Sequence, residues 1–175
     1  MSHDTSPEAL APKSPRESEV VMTQMVLPPD TNALQSAFGG RVMEWIDIAA
    51  AIAAQRHCRS TVVTASIDEV HFHAPIQLGW TALLKARVLA AFGSSLEIGV
   101  SVTAENPFNG DRRLTTTALL TFVALGQDGK RGRVPPLLLE SEEERLAFEA
   151  AKERRAVRLE HKKRTGSSAA WVSLL

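Results

Sequence analysis

The apolar run that follows Gly39-Gly40 constrains the fold of this chain more than any other stretch. It extends to Cys58, consists largely of alanine, isoleucine and other apolar residues, and has one acid, Asp47, in its middle. A helix this apolar is buried over most of its surface. A carboxylate within such a helix is costly unless it is paired or used in chemistry. Asp47 is therefore the first candidate functional residue.

Strand patterns dominate the chain on both sides of this run. They predict strands at residues 20–27, 61–73, 80–92, 96–105 and 113–125. Residues 96–105 alternate apolar and polar side chains, which is typical of a half-buried antiparallel strand. Because strands and helices do not alternate along the chain, a parallel doubly wound sheet is not expected. We predict an α+β fold in which a curved antiparallel sheet wraps around a long central helix.

The two ends of the chain differ from this central part. Residues 1–19 mix serine, proline and charge without periodicity, which predicts a disordered N-terminal tail. Residues 20–136 form the predicted domain. Residues 137–175 are predicted to form a C-terminal helix and tail, with Ser141 and Glu144 in a capping-box pattern.

Composition narrows the class of protein. The 20 basic and 20 acidic residues cancel, so net charge gives no argument for binding nucleic acid or a membrane surface. No uninterrupted apolar stretch reaches the roughly 20 residues of a membrane span. The single cysteine, Cys58, excludes an intramolecular disulfide and suits a reducing compartment. We predict a soluble, cytoplasmic protein that does not bind nucleic acid.

Three features are candidates for chemistry, and each also has a structural interpretation. Asp47 is a general base or a nucleophile in a partly desolvated pocket, or else a paired structural carboxylate. The backbone N–H groups of Gly39-Gly40 form an oxyanion hole at the helix start, or else the glycines form a turn or an N-cap. Asn32 orients water or a carbonyl group, or else closes an Asx turn.

A metal site is not expected. His71 and His73 share one face of a predicted strand, and His57-Cys58 is near them in sequence. A zinc site needs four ligands at suitable spacing. Neither a C-x-x-C nor an H-x-x-x-H motif is present.

Several stretches together match the pattern of one family. They are Pro29-Asp30-Thr31-Asn32, Phe38-Gly39-Gly40, Met43-x-x-x-Asp47-x-Ala49-Ala50, Arg56-His57-Cys58, Val63-Thr64, Phe72-x-x-Pro75-Ile76-x-x-Gly79, Gly93-x-Ser95-x-Glu97 and Thr121-Phe122-Val123-Ala124-Leu125. In this combination the chain resembles the hotdog-fold acyl-CoA thioesterases of the bacterial short-chain and brain acyl-CoA hydrolase type. The resemblance covers roughly residues 25–136.

The resemblance implies an activity and a shared site. Such enzymes hydrolyse acyl-CoA to a free acid and CoA without a metal or another cofactor, at sites that straddle a homodimer interface. It implies that Asp47 is catalytic, that Asn32 faces Asp47 of the other subunit, and that Gly40, with Gly39, donates to the thioester oxygen. The resemblance also implies that Gly93, Ser94 and Ser95 bind CoA. Members commonly assemble as trimers of dimers, so a homohexamer is expected.

The chain departs from the family pattern at two positions. Gln35 stands where the family usually has glycine, and Trp80 where it often has an acid. An alternative function is a non-catalytic acyl-CoA sensor on the same fold, which as a transcriptional regulator would be expected to carry a helix-turn-helix segment. A hydratase would usually place histidine where this chain has Asp47.

Overall fold

The computed structural model describes residues 10–165, and the chain divides after Leu138 into two compact units. The first unit holds five strands and one long helix; the second holds one helix. The elements are β1 (Val20–Met25), α1 (Gly39–Cys58), β2 (Thr61–Phe72), β3 (Thr81–Phe92), β4 (Ser95–Glu105), β5 (Arg112–Leu125) and α2 (Glu142–Thr165), with short 3-10 helices at Pro15–Ser18 and Pro28–Asp30.

The five strands form one antiparallel sheet in the order β1-β3-β4-β5-β2. Strands β3, β4 and β5 are neighbours in both sequence and space, so the centre of the sheet is a meander. Strand β1 lies at one edge and strand β2, twelve residues long, at the other. The predicted fold class and element order are confirmed. They were predictable because alternation within strands and the apolar run are both local signals in the sequence.

Helix α1 packs one face against the sheet and leaves the other open. The packed face is rich in alanine, which lets the helix backbone lie close to the sheet; it comprises Val42, Trp45, Ile46, Ala49, Ala50, Ala53, Ala54 and His57. The open face carries Met43 and Ile48, both exposed, with the half-buried Asp47 beside them. The expectation of a helix buried over most of its surface is therefore wrong for this face, and Asp47 lies at the boundary of the core.

The prediction of a disordered tail is wrong for residues 10–19. The Lys13 N–H donates to the Pro136 carbonyl at 2.9 Å, and the Leu138 N–H donates to the Lys13 carbonyl at 3.0 Å. Ser18 is fully buried. Pro136 and Leu138 lie more than a hundred residues from Lys13, so no local pattern reveals these contacts. Residues 1–9 of the predicted tail lie outside the described residues.

His57 joins the end of α1 to two distant segments. Its Nε2 lies 2.9 Å from the Pro135 carbonyl oxygen, and its Nδ1 lies 3.4 Å from Ser18 Oγ. The ring is almost completely enclosed. This burial lowers the pKa of His57 below its ordinary value of 6.5, because the charged imidazolium loses its hydration.

This lowered pKa predicts a loss of stability in mild acid. Below pH 6.5 the unfolded state binds a proton at His57 that the folded state resists, so the free energy of unfolding falls as the pH drops through 6.5. Above pH 6.5, His57 contributes no pH dependence to the free energy of unfolding. Denaturant titrations between pH 7.5 and 5 are expected to show a smaller decrease for His57→Gln than for the unaltered chain. Parallel pH dependences for the two proteins would contradict the prediction.

The second unit is the helix α2 with its capping residues. The Glu144 N–H donates to Ser141 Oγ at 3.2 Å, and the Ser141 N–H donates to the Glu144 carboxylate at 3.3 Å. The predicted capping box is thus confirmed. Ion pairs between residues three apart follow along the helix, Glu142 with Arg145 and Glu149 with Lys152. The predicted tail at residues 166–175 lies outside the described residues.

Candidate active site

The N-terminus of α1 presents two unused backbone donors. Phe38 is the N-cap residue and supplies no side-chain cap. Its carbonyl accepts the N–H groups of Arg41 and Val42 at 2.8 and 3.1 Å. Within residues 10–165, the N–H groups of Gly39 and Gly40 have no acceptor. Two free donors at the positive end of a helix dipole form a site for an oxygen that gains negative charge.

The two glycines leave the helix start without side chains. A Cβ at Gly40 would lie 2.9 Å from a ring carbon of Phe38, which is too close without movement of that ring. A Cβ at Gly39 would touch the Phe72 ring at 3.6 Å. The missing side chains leave the two N–H groups open to approach by a ligand.

Asp47 is fixed by a neighbour on the sheet edge. Thr64, on β2, donates its hydroxyl to Asp47 Oδ1 at 2.8 Å. Within the described residues, Oδ2 has no hydrogen-bond partner, so it remains free to accept a proton. Thr64 was not predicted as a site residue, because a threonine in a strand is ordinary and its partner lies on a different element.

Asn32 has a structural role and a free donor group. Its Oδ1 accepts the N–H groups of Leu34 at 2.8 Å and Ser36 at 3.4 Å, and the Ser36 hydroxyl at 3.3 Å. These bonds form the Asx turn that the sequence left open as an alternative. Within the described residues, Nδ2 donates to no acceptor. Asn32 therefore holds its loop with one atom and presents two N–H bonds with the other.

Gln35 is the first departure from the family pattern. It lies inside the Asn32 turn with φ at 57°, in the left-handed region that glycine adopts without strain. Its N–H donates to the Asn32 carbonyl at 3.0 Å, and its carbonyl accepts the Leu78 N–H at 2.9 Å. The loop therefore keeps the glycine conformation although the residue is not glycine.

This conformation predicts that Gln35→Gly stabilises the protein. Relief of left-handed strain is worth about 1 kcal/mol, and the greater freedom of glycine in the unfolded chain offsets about half of that. The expected net gain of about 0.5 kcal/mol raises Tm by about 1–2 °C for a chain of this size. Gln35→Ala is the control, because it removes the side chain and keeps the strain. A lower Tm for Gln35→Gly than for Gln35→Ala would contradict the prediction.

Gly40 and Asp47 lie at different positions along the axis of α1. Asp47 follows Gly40 by two turns of helix, which corresponds to about 10 Å along the axis. A general base and an oxyanion donor must reach the same carbonyl group, with reacting atoms about 3–3.5 Å apart. Within one protomer, the backbones of Gly40 and Asp47 are therefore separated along the helix by more than this reacting distance.

The turn predicted to bind CoA lies at the Asp47 end of the sheet. Gly93 has φ at 54° and forms the β3–β4 turn with Ser94. The turn is held by backbone bonds from Val134 to Gly93 and from Ala124 to Ser94, at 2.7 and 2.9 Å. Phe122 on β5 pairs with Thr64 on β2 and with Leu96 on β4. The start of β4 therefore lies two strands from Thr64, a distance of about 10 Å.

His71 and His73 contact each other and a neighbouring threonine. The rings of His71 and His73 stack with centroids 6.2 Å apart, and His73 Nε2 lies 3.0 Å from Thr117 Oγ1. In the part of the chain that the structure describes, no three His, Cys, Asp or Glu side chains are placed to hold a metal ion. In the same residues, no helix is long and apolar enough to cross a membrane.

The fold and these groups define a class of protein: a hotdog-fold hydrolase, with backbone donors at the central helix start and a carboxylate further along it. Residues 34–107 match the model of the thioesterase superfamily. An acyl-CoA thioester hydrolase of Bacillus subtilis, YkhA, is 43% identical over 139 residues, which are 79% of this chain and 81% of that protein. The chain therefore belongs to the hotdog-fold acyl-CoA thioesterases, and the resemblance seen in the sequence is confirmed.

Solved structures agree with this assignment. An apo-hexameric acyl-CoA thioesterase is 38% identical, with a TM-score of 0.83 over 91% of this chain and 100% of that one. The acyl-CoA hydrolase of Staphylococcus aureus, solved with butyryl-CoA and CoA, is 35% identical, with a TM-score of 0.83 over 92% of this chain and 98% of that one. Alanine variants of that enzyme at an aspartate, an asparagine and a threonine have matching structures.

Proposed function

We propose that this chain hydrolyses acyl-CoA to a free acid and CoA, with Asp47 as the general base. The observation that carries the proposal is the hydrogen bond from Thr64 to Asp47 at 2.8 Å. It holds one carboxylate oxygen in place and leaves the other to take a proton from water. Thr64 is accordingly a positioning residue.

The reaction then follows from the groups present. Water attacks the thioester carbonyl carbon while its proton passes to Asp47. The carbonyl oxygen becomes negative and is stabilised by the N–H groups of Gly40 and Gly39 and by the dipole of α1. The intermediate collapses with cleavage of the C–S bond, and the proton on Asp47 passes to the departing CoA thiolate. The proposed reaction needs no metal or other cofactor.

Nucleophilic attack by Asp47 through a mixed anhydride is the competing mechanism. The two differ in the fate of the water oxygen. Under single turnover in ¹⁸O-water, a general base leaves the label in the acid product, whereas breakdown of an anhydride by attack on the Asp47 carbonyl leaves it in the carboxylate. Mass spectrometry of the peptide that contains Asp47 separates that route from the general-base mechanism.

We propose that two protomers complete each site. The rise of about 10 Å along the helix axis between Gly40 and Asp47 within one chain supports this proposal. The surface beside Asp47 is also suited to a partner, because Met43 and Ile48 are exposed on α1. Strand β2 lies at the sheet edge with Val63 and Ile67 43% and 46% exposed, so its backbone is available to pair. In this dimer the free Nδ2 of Asn32 faces Asp47 of the other subunit.

The larger assembly and the remaining contacts are also proposals. The hexameric state of a relative with a TM-score of 0.83 supports a homohexamer built as a trimer of dimers. The turn at residues 93–95 is proposed to contact CoA, since it lies at the Asp47 end of the sheet. A cytoplasmic location suits the single free thiol of Cys58. The absence of nucleic-acid binding stays a prediction from the balanced charge.

A panel of acyl-CoA substrates tests the function. Release of CoA thiol is expected from at least one acyl-CoA between two and sixteen carbons, at a rate proportional to enzyme. The alternative, a non-catalytic sensor, predicts saturable binding without thiol release. The hydrolase is favoured because a placed carboxylate and free backbone donors serve turnover and are not needed for binding alone. Binding without turnover by the native oligomer would overturn it.

A further inference from the structure

Strand β2 shifts its register against β5 at two places close together. The first shift falls between Thr64 and Ser66, and the second falls between Ile67 and Glu69. Each shift leaves one extra residue on β2, which is the arrangement of a β-bulge. A shift of one residue changes the face toward which the following side chains point. Bulges are common beside active sites because they aim side chains in this way.

The first bulge separates two side chains that a regular strand would place on one face. Thr64 lies opposite Phe122, which is buried in the core. Directly opposite residues of an antiparallel pair share a face of the sheet, so the Thr64 hydroxyl points toward α1 and reaches Asp47. Ser66 would share that face in a regular strand. Because of the bulge it lies opposite Thr121 instead, on the outer face of the sheet, away from α1.

Asp68 ties the bulged segment together on this outer face. Its Oδ1 accepts the Ser66 hydroxyl at 2.7 Å, and its Oδ2 accepts the Thr121 hydroxyl at 2.6 Å. Hydrogen bonds to a carboxylate are among the stronger ones in proteins. We name these three residues the Asp68 clamp. Its bonds join β2 to itself and to β5 within one protomer, so they do not depend on the free edge of β2.

The first bulge therefore has an anchor on each side. Val62 packs against the core and fixes β2 before the bulge. The Asp68 clamp holds Ser66 opposite Thr121 and fixes β2 after it. The extra residue is thus accommodated within residues 63–65, with Thr64 in the middle. Release of the second anchor lets this segment slip, and a slip of one residue at Thr64 turns its hydroxyl away from α1.

We infer that Asp68 is a positioning residue that holds the Thr64 hydroxyl on the general base. This inference rests on the proposed role of Asp47. The clamp lies on the outer face of the sheet and Asp47 lies on α1 against the inner face, so the effect of Asp68 passes through β2. Precise placement matters because a displacement of about 1 Å in an active site can lower the rate by about 10²-fold.

A cycle of variants at Asp68 and Thr64 tests the inference. Asp68→Ala removes both acceptors and is expected to lower kcat by about tenfold, the worth of one hydrogen bond to a charged group, with KM within about twofold. Thr64→Val removes the hydroxyl itself and is expected to lower kcat by at least as much. Because Asp68 acts through Thr64, the double variant is expected to be at most about twofold slower than Thr64→Val alone. Independent effects would multiply.

Three further variants separate positioning from loss of the fold. Asp68→Asn keeps the size of the side chain, accepts one hydroxyl and donates to the other, so its kcat is expected to stay within about threefold of the unaltered chain. Thr121→Val removes the buried donor and takes the place of Asp68→Ala in the cycle if that variant does not assemble. Glu69→Ala is the matched control, because Glu69 is the next residue of β2 and forms an exposed pair with His71 at 3.5 Å. Its kcat is expected to change less than about twofold.

The outcomes separate this inference from the proposed function. Tm and sedimentation show which variants keep the native fold and assembly, and steady-state thiol release gives kcat and KM. Losses that multiply in the double variant would show that Asp68 does not act through Thr64. An unchanged kcat for Asp68→Ala or for Thr64→Val would also overturn the inference, and in each case turnover by the unaltered protein leaves the hydrolase standing. If the unaltered protein releases no CoA from any substrate, the function fails and the inference fails with it.

Discussion

Replacing Asp47 by asparagine is expected to lower kcat for acyl-CoA hydrolysis by about 10²- to 10⁴-fold, the contribution of a positioned proton acceptor. The amide keeps the size of the side chain and still accepts the Thr64 hydroxyl, which now binds Asp47 at 2.8 Å. Only the ability to take a proton is removed. Since the backbone donors at the helix start are unchanged, KM is expected to stay within a few-fold.

The control for this variant is Glu44→Gln, on the same helix. Glu44 pairs with Arg41 at 2.6 Å on the open surface and has no contact with Asp47 or Thr64. Its loss is expected to change kcat less than twofold, because exposed ion pairs contribute little. Steady-state thiol release measures both variants, with sedimentation to show that the oligomer is intact. Near-native turnover by an intact Asp47→Asn oligomer would show that another group activates the water.

Mixing two inactive variants is expected to restore activity. If Asn32 of one protomer serves Asp47 of the other, a dimer of an Asp47→Asn chain and an Asn32→Ala chain contains one intact site and one site without either residue. Random pairing of equal amounts then gives about a quarter of the wild-type activity, since half of the dimers are mixed and half of their sites are intact. Each variant alone is expected to lose most of its turnover.

The matched control for mixing uses a double variant. Pairing Asp47→Asn with a chain that carries both Asp47→Asn and Asn32→Ala leaves no site with Asp47, so no activity is expected to return. Co-expression with two different affinity tags isolates the mixed oligomers. Recovery in the control as well would indicate an artefact of co-expression. No recovery in either mixture would place Asn32 and Asp47 in a site within one chain.

The fold was predictable because its signals are local. The alternation at residues 96–105 and the apolar run of α1 each fix an element within a window of ten to twenty residues. The error at residues 10–19 has the opposite cause. Lys13 pairs with Pro136 and Leu138, and Ser18 is buried against His57, so order in this polar segment comes from contacts across the whole chain.

The site was predictable only in part. Asp47 was predicted as a site residue because an acid in an apolar run is unusual. Gly39 and Gly40 were predicted because they precede a helix. Thr64 was missed as a site residue because its role depends on the crossing of α1 and β2. The departure at Gln35 was visible in the sequence, but its left-handed conformation follows from the turn around Asn32.

The open edge of β2 has a consequence for the protein at low concentration. An isolated protomer exposes twelve residues of strand backbone together with Val63 and Ile67, and such an edge pairs with any extended chain it meets. In the proposed dimer this edge is covered by its own copy. Assembly then protects the chain from aggregation while it completes the site, so dissociation of the dimer is expected to cause inactivation and to expose this aggregation-prone edge.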